Sequence, residues 1–234
     1  SFNINYNFNK YQKPSPQVLL NGKEKNLSWQ TMIGYNYIEW EQKSKNGQTF
    51  TSFDPDKFID QNRLNVNTNR NFYARVGTNY RLSEKSNLLF NYNTTFANDR
   101  GNFEAITFGS EIPDYFNNGT SKTKASNHEI SLQYKTKLDT IGRTLDIIAF
   151  TNTFNRNPDT KTNAVENNVS SFNNFKSDFG LLNYYLKYDF AIPFEKLNLS
   201  VNTGGKFNTI KVDNVGSYNL NSATTDIIDF DYKE

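Results

Sequence analysis

The sequence predicts an all-β protein, an antiparallel up-and-down transmembrane β-barrel with about eight strands. Apolar and polar side chains alternate with a period of two along most of the chain, which is typical of strands with two unlike faces. The alternating segments are long, and short connections between them take turns with long polar ones. Outer-membrane barrels show this rhythm because tight turns lie on one side of the membrane and longer loops on the other.

The first predicted strand shows the alternation most clearly. The chain begins SFNINYNFNKY, in which every second residue is Phe, Ile or Tyr and the residues between them are asparagines. Seven more alternating segments follow, at residues 27–37, 64–80, 88–96, 130–138, 143–154, 182–190 and 197–207. The segment 143–154 is strand-like but less clearly two-sided. Each is at least as long as the roughly 9–11 residues of a tilted membrane strand, whereas strands of globular proteins are nearer 5–6.

The connections between the predicted strands differ in length. Short turns are predicted at residues 82–86, 138–143 and 192–196. Long polar loops are predicted at about residues 42–62, 98–126, 155–177 and 212–234. The first connection breaks the rhythm, because it contains QKPSPQVLLNGKEKN, for which we predict an insertion or a small extra hairpin. Five aromatic residues near strand ends would suit the girdles at the membrane interfaces: Trp29, Trp40, Tyr73, Phe154 and Phe194.

Composition narrows the class of protein. The 234 residues are 35% hydrophobic and 15% aromatic, and they include 37 asparagines. Disordered chains are poor in aromatic residues, so disorder is a weak interpretation. The net charge of +2 gives no field that would favour a nucleic acid. The absence of cysteine excludes disulfides, and no apolar run of about 18 residues predicts a transmembrane helix.

The sequence offers little to catalysis, and we predict neither an enzyme nor a cofactor. His128 is the only histidine, and a structural role is favoured although Glu129 follows it. A metal site is not expected, because zinc needs three or four protein ligands. Glu39 and Glu41 share a strand face and could form an acid/base pair, but they lie where charges normally meet water.

The period of two assigns side chains to the two faces of a barrel wall. The residues predicted to face lipid are Phe2, Ile4, Tyr6, Phe8, Phe90, Tyr92, Leu132, Tyr134, Leu186 and Tyr188. The residues predicted to face the lumen are Asn3, Asn5, Asn7, Asn67, Arg75, Arg81, Lys135, Lys187 and Lys206. Such a lumen would be rich in asparagine and mildly basic, which suits a hydrated interior that contacts a plug, a sugar or a peptide.

Three segments from residue 60 onward resemble the outer-membrane β-barrel family of Bacteroidetes, relatives of the TonB-dependent receptors. These segments are RNFYARVGTNYRLSEKSNLLFNYNTTF, HEISLQYKTKLDTIGRTLDI and LLNYYLKYDFAIPFEKLNLSVNTGGKF. The resemblance covers about two thirds of the chain, and it implies a plug and a barrel of about 22 strands. Residues 1–234 would then be a section of one outer-membrane barrel domain, without plug or signal peptide. The implied partners are outer-membrane lipid, the protein's own plug domain, a TonB-type energy-coupling protein and a surface lipoprotein.

Two other hypotheses stay open from the sequence. The chain could be a structural barrel subunit of an outer-membrane assembly, without transport. Alternatively, it could be a soluble, secreted β-sandwich that binds carbohydrate through exposed aromatic residues. The sandwich predicts shorter strands and an aliphatic core, whereas the alternating faces are long and rich in Tyr, Phe and Thr.

Overall fold

The computed structural model describes residues 2–5, 15–50, 57–110, 113–194, 199–221 and 223–233, and these form β-strands and turns without a helix. The strands are β1 (Phe2–Asn5), β2 (Gln17–Glu24), β3 (Leu27–Phe50), β4 (Lys57–Arg81), β5 (Ser86–Gly109), β6 (Tyr115–Lys137), β7 (Thr144–Glu166), β8 (Val169–Phe194), β9 (Leu199–Leu220) and β10 (Ala223–Lys233). The prediction of an all-β protein is therefore confirmed.

The strands pair in the order in which they occur in the chain. Each is antiparallel to the next, and together they form one ten-stranded sheet with β1 and β10 at its edges. The predicted up-and-down topology is confirmed, and the sheet is open, because the described residues of β1 and β10 do not pair with each other. A β-sandwich needs two packed sheets. The described strands form a single layer, so they do not build the sandwich considered above.

Two strands were absent from the prediction. β2 lies inside the segment QKPSPQVLLNGKEKN and forms a hairpin with β3, which confirms the extra hairpin. β10 occupies the second half of the stretch 212–234, which was predicted to be a loop. Both strands continue the same antiparallel meander, so they widen the sheet without changing its topology.

The prediction of long loops was wrong. The polar stretches continue the strands: β3 runs to Phe50, β5 to Gly109 and β7 to Glu166, and the partner strand starts a few residues later. Backbone pairing persists through these segments, for example from Phe72↔Phe96 to Ile59↔Gly109 in the β4–β5 hairpin. The reason is that polar side chains occupy both faces here, so an unbroken strand shows no apolar alternation in the sequence.

The turn at the far end of the β7–β8 hairpin is tight. Asn167 and Asn168 connect β7 to β8 with φ angles of 48° and 63°. Two successive residues with positive φ are the pattern of a two-residue hairpin turn, and asparagine tolerates that conformation better than most residues. Two residues are therefore enough where a long loop was expected.

The exposure of side chains shows that the sheet is curved. On β8, the even-numbered residues 182–188 are exposed, while the odd-numbered residues 181–189 are half-buried. The same alternation occurs along parts of three other strands, at residues 100–106 of β5, 120–124 of β6 and 161–164 of β7. Side chains crowd together on the inside of a curved sheet, so the more covered face is the concave one. The described strands form one layer with no second layer of described residues on either face, and the only apolar side chains buried among the described residues are Ala105 and Ala164.

The described residues contain no helix that is long and apolar enough to cross a membrane.

Candidate functional site

The strand register sorts the side chains into two unlike faces. Residues that pair directly across antiparallel strands lie on the same side of a sheet. Leu132 pairs with Phe90 on β5 and Ala149 on β7, and Ala149 pairs in turn with Leu186 on β8. We call the convex side, which carries these paired residues, the apolar face. We call the concave side, which carries Glu129, the polar face.

The two predicted sets of residues fall on opposite faces. The positions on the apolar face are Phe2, Ile4, Phe90, Tyr92, Leu132, Tyr134, Leu186 and Tyr188. The positions on the polar face are Asn3, Asn5, Asn67, Arg75, Arg81, Lys135, Lys187 and Lys206. Tyr6, Asn7 and Phe8 lie outside the described residues. That one face contacts lipid and the other a lumen stays a prediction.

The apolar face is bounded by two rows that contain aromatic side chains. The lower row, next to the turn between β4 and β5, runs through Leu27, Tyr80, Leu88, Tyr134, Ile147 and Tyr188. The upper row contains Tyr35, Phe72 and Phe96. We call the surface between the two rows the apolar belt. Its side chains are open to the surroundings: Leu132 is 43% exposed and Leu186 is 53% exposed.

The height of the apolar belt matches a bilayer. On β4, Tyr80 of the lower row and Phe72 of the upper row are eight residues apart, which is about 27 Å along a strand. A strand tilted by about 40° would carry that distance across about 21 Å of membrane, close to the apolar band of about 25 Å on outer-membrane barrels. Beyond the upper row the hairpins continue as a polar section, which we call the extension.

The predicted girdle residues do not form the two rows. Trp29 lies on the apolar face, one level above the lower row, because it pairs with Thr78. Trp40, Tyr73 and Phe154 are on the polar face, so their assignment to a girdle was wrong. The error came from choosing aromatic residues at apparent strand ends, when the strands in fact extend further and the register alone sets the face.

Within the belt region, the polar face carries a hydrogen-bonded chain of side chains across four strands. The Nε of Arg75 donates to Oδ1 of Asn93 at 2.7 Å, and the Nδ2 of Asn93 donates to Glu129 at 3.4 Å. Glu129 also accepts from Asn127 at 3.3 Å, and Asn127 accepts from Asn152 at 2.6 Å. We call these five residues the polar network. Its one cation and one anion are bridged by amides, so it presents many donors and acceptors with little net charge.

The polar face of β7 to β9 carries an aromatic stack that the sequence analysis missed. The rings of Phe150 and Tyr185 stack with centroids 4.8 Å apart, and the Nζ of Lys206 lies 4.4 Å from the centroid of Tyr185. A cation over an aromatic ring is attracted by the ring's negative face. The weak alternation of residues 143–154 was the available signal, because a strand with apolar residues on both faces loses its period of two.

The predicted lumen-facing lysines are mostly paired. The Nζ of Lys187 lies 2.6 Å from Asp189, and that of Lys135 lies 3.6 Å from Asp146. Asp146 also accepts from Gln133 at 2.8 Å. These pairs make the polar face near the turns less basic than the expected lumen.

Two other groups singled out in the sequence have partners that explain them structurally. The Nδ1 of His128 lies 2.9 Å from the hydroxyl of Tyr92, on the apolar face, whereas Glu129 points to the polar face. The described residues hold no cluster of three or more His, Asp or Glu side chains placed to bind a metal. Glu41 is 3.0 Å from the Nζ of Lys43, and Glu39 accepts from the hydroxyl of Tyr37 at 3.1 Å.

Comparison with known proteins leaves the family open. No family model and no curated protein matches the chain. Among solved structures, the siderophore receptor PiuA from Acinetobacter baumannii matches at 6% identity and a TM-score of 0.18, over 88% of this chain and 46% of the receptor. The chain thus spans about half the length of that receptor.

Two further structures match at similar levels. Wzi is described as a carbohydrate-binding β-barrel of the outer membrane involved in Group 1 capsule assembly in Escherichia coli; it matches at 6% identity and a TM-score of 0.16, over 92% of this chain and 76% of Wzi. OccK10 from Pseudomonas aeruginosa matches at 7% identity and a TM-score of 0.14, over 100% and 96% of the two chains. Scores this low carry no argument about function.

Proposed function

We propose that this chain forms part of the wall of a bacterial outer-membrane β-barrel, with its apolar face in lipid and its polar face towards the lumen. The observation that carries the proposal is the apolar belt. Large apolar side chains on the belt stay exposed on a sheet that has no second layer, and a soluble protein rarely leaves a continuous apolar surface of this size uncovered. Lipid covers such a surface without a protein partner.

The curvature of the sheet supports the same arrangement. The apolar face is convex and the polar face is concave, as in a barrel wall that encloses water. The described strands form an open meander, and unpaired edges cannot stay in the hydrocarbon layer, so β1 and β10 need partner strands. The resemblance of the three segments quoted above implies a larger barrel, in which additional strands supply these partners. We therefore propose that the closed barrel contains more strands than the ten described.

The finer part of the proposal is a function like that of TonB-dependent receptors, and it rests on the resemblance of the three segments quoted above. In that arrangement the polar network lines the cavity that holds the protein's own plug domain. A TonB-type protein would act on the plug, and the extension would meet extracellular ligands or a surface lipoprotein. The proposal includes no catalytic step and no cofactor.

A purely structural barrel is the second candidate. The observation that favours it is the polar network, whose members Arg75, Asn93 and Glu129 are bonded to one another rather than left open for a ligand. A photo-crosslinking residue in place of Asn91, which is exposed on the polar face next to this network, separates the two candidates. Crosslinks to a plug segment support the receptor, and their absence supports the structural barrel.

The two tryptophans provide the test of the lipid-facing surface, because the chain has one on each face. Trp29 lies on the apolar face within the belt, whereas Trp40 lies on the polar face in the extension. Two variants are made, in each of which one of these two tryptophans is replaced with Phe. The fluorescence of the remaining tryptophan is recorded in vesicles with and without brominated lipid. We expect strong quenching of Trp29 and little quenching of Trp40. Equal quenching of both, or none of Trp29, would contradict the proposal.

A further inference from the structure

Four cations lie together on the apolar face, immediately above the upper row of the belt. Arg70 is two residues from Phe72, and Lys124 reaches the same level through its pairing with Asn98. At the next level Arg100 pairs directly with Lys122. We call these four exposed residues the cationic patch: Arg70, Arg100, Lys122 and Lys124.

The spacing within the cationic patch is set by the sheet. Directly paired residues on one face have Cβ atoms about 5 Å apart, and residues two apart on a strand are separated by about 7 Å. The four charges therefore share a surface about the size of one lipid headgroup. The guanidinium of Arg70 lies 5.3 Å from the ring centroid of Tyr37, whose hydroxyl donates to Glu39 on the same face.

The register places Arg100 directly opposite Lys122, so two like charges lie side by side. Like charges directly opposite each other destabilise a sheet. The nearest acid on the neighbouring strand is Asp159, which pairs with Lys122 in the register. Its Oδ2 is 3.9 Å from the Nζ of Lys176, so its charge is already shared with a lysine outside the patch.

An anion outside the protein would remove this repulsion, and the position of the patch indicates which anion. A membrane that covers the belt up to Phe72 and Phe96 places its headgroups at the level of Arg70 and Lys124. From these contacts we infer that the cationic patch binds the phosphate of an anionic lipid in the leaflet next to the extension. This inference rests on the proposed function, because it requires the belt to lie in a bilayer. Each arginine or lysine near an anionic membrane surface strengthens the binding of the protein to that surface about fivefold.

The test compares a patch variant with a matched control. The patch variant is Arg100→Gln with Lys122→Gln, and the control is Lys43→Gln with Lys45→Gln. Both variants lose two positive charges from the same face, but the control positions are farther from the belt, in the extension. The complete barrel protein that contains these residues is reconstituted in bilayers of phosphatidylcholine alone or with phosphatidylglycerol. Urea unfolding is measured in each, and lipid retained on the protein is counted by native mass spectrometry.

The inference predicts that the difference in unfolding free energy between the patch variant and the unmodified protein changes sign with the lipid composition. In phosphatidylcholine the patch variant should be as stable as the unmodified protein or more stable, because a like-charge pair is gone. With phosphatidylglycerol the unmodified protein should gain stability, and the patch variant should lose that gain and about fivefold of the lipid preference for each charge removed. The control should keep both, and added salt should weaken the effect.

Two results would overturn the inference in distinguishable ways. Insertion into both bilayers with no difference between patch variant and control would contradict lipid binding while leaving the barrel intact. Failure of the complete, unmodified barrel protein to float with either kind of vesicle would contradict the membrane location and the lipid site together.

Discussion

Replacing Ile130 with Arg is the most informative perturbation of the apolar belt. Ile130 is 40% exposed on β6, four residues from Tyr134 in the lower row and four from Ser126 at the level of the upper row. It is therefore about 13 Å along the strand from either edge, at the middle of the belt. An arginine at the midplane of a barrel's lipid face costs about 2–4 kcal/mol, and the cost falls to about 0–1 kcal/mol near the interfaces.

The adjacent residue and the edge of the belt provide the controls. Ser131→Arg places the same charge one residue away on the polar face, and Tyr134→Arg places it on the apolar face in the lower row. We expect Ile130→Arg to lower the free energy of unfolding by about 2–4 kcal/mol and both controls by about 1 kcal/mol or less. The measurement is reversible urea unfolding from vesicles. Equal effects of Ile130→Arg and Ser131→Arg would refute the assignment of the apolar face to lipid.

Three more substitutions test the sheet itself by urea unfolding. Gly119→Ala should lower the free energy of unfolding by about 1–3 kcal/mol, because the new Cβ would lie 2.5 Å from the carbonyl oxygen of Lys161. Gly180→Ala, whose new Cβ would have its nearest neighbour at 3.5 Å, should be neutral or slightly stabilising. A larger loss at Gly180 than at Gly119 would contradict the register. Glu129→Ala should lower the free energy of unfolding by about 1 kcal/mol, because two asparagine donors lose their acceptor. Glu129→Gln keeps one acceptor oxygen and should lower it less. Equal losses in the two variants would mean that the polar network adds no stability. Asn168→Val should destabilise the β7–β8 hairpin by about 1–3 kcal/mol, because φ is 63° at this position and valine disfavours positive φ. Asn168→Gly should not destabilise it. An Asn168→Val variant as stable as the unmodified protein would show that the turn adopts another conformation.

The alternation of apolar and polar residues was enough to predict the strands of the belt. Where one face is apolar and the other polar, a shift of the register by one residue would exchange them completely. The pattern around Phe90 and Leu132 therefore predicted both the strands and which residues share a face. The short turns at 82–86 and 138–143 were predicted from the polar residues that interrupt the alternation.

The extension could not be predicted in this way. Many of its side chains are polar on both faces, as at Ser121 and Lys122, which are adjacent on β6 and lie on opposite faces, so no alternation distinguishes a strand from a loop. What maintains the strand is backbone pairing with the neighbouring hairpins, which a single sequence does not display. The aromatic stack of Phe150 and Tyr185 was missed for the opposite reason, because apolar residues occupy both faces of β7 there.

Of the five residues of the polar network, the sequence named only Arg75 as facing the lumen, and it displayed none of the contacts. The residue types on the polar face followed from the period of two. Which side chains meet depends on pairing across strands: Arg75 reaches Asn93 on β5, and Lys135 reaches Asp146 on β7. The cationic patch likewise exists only through the register that places Arg100 opposite Lys122.

The most direct test of a membrane-spanning sheet is the labelling of its two ends in intact cells. Asn167 lies in the turn between β7 and β8 beyond the extension, and Glu84 lies in the turn between β4 and β5 next to the lower row. The chain has no cysteine of its own, so Asn167→Cys and Glu84→Cys each introduce a single thiol. A membrane-impermeant thiol reagent should label position 167 on intact cells and position 84 only after the outer membrane is permeabilised. Equal labelling of both positions on intact cells, or recovery of the protein in the soluble fraction, would contradict a sheet that spans the outer membrane.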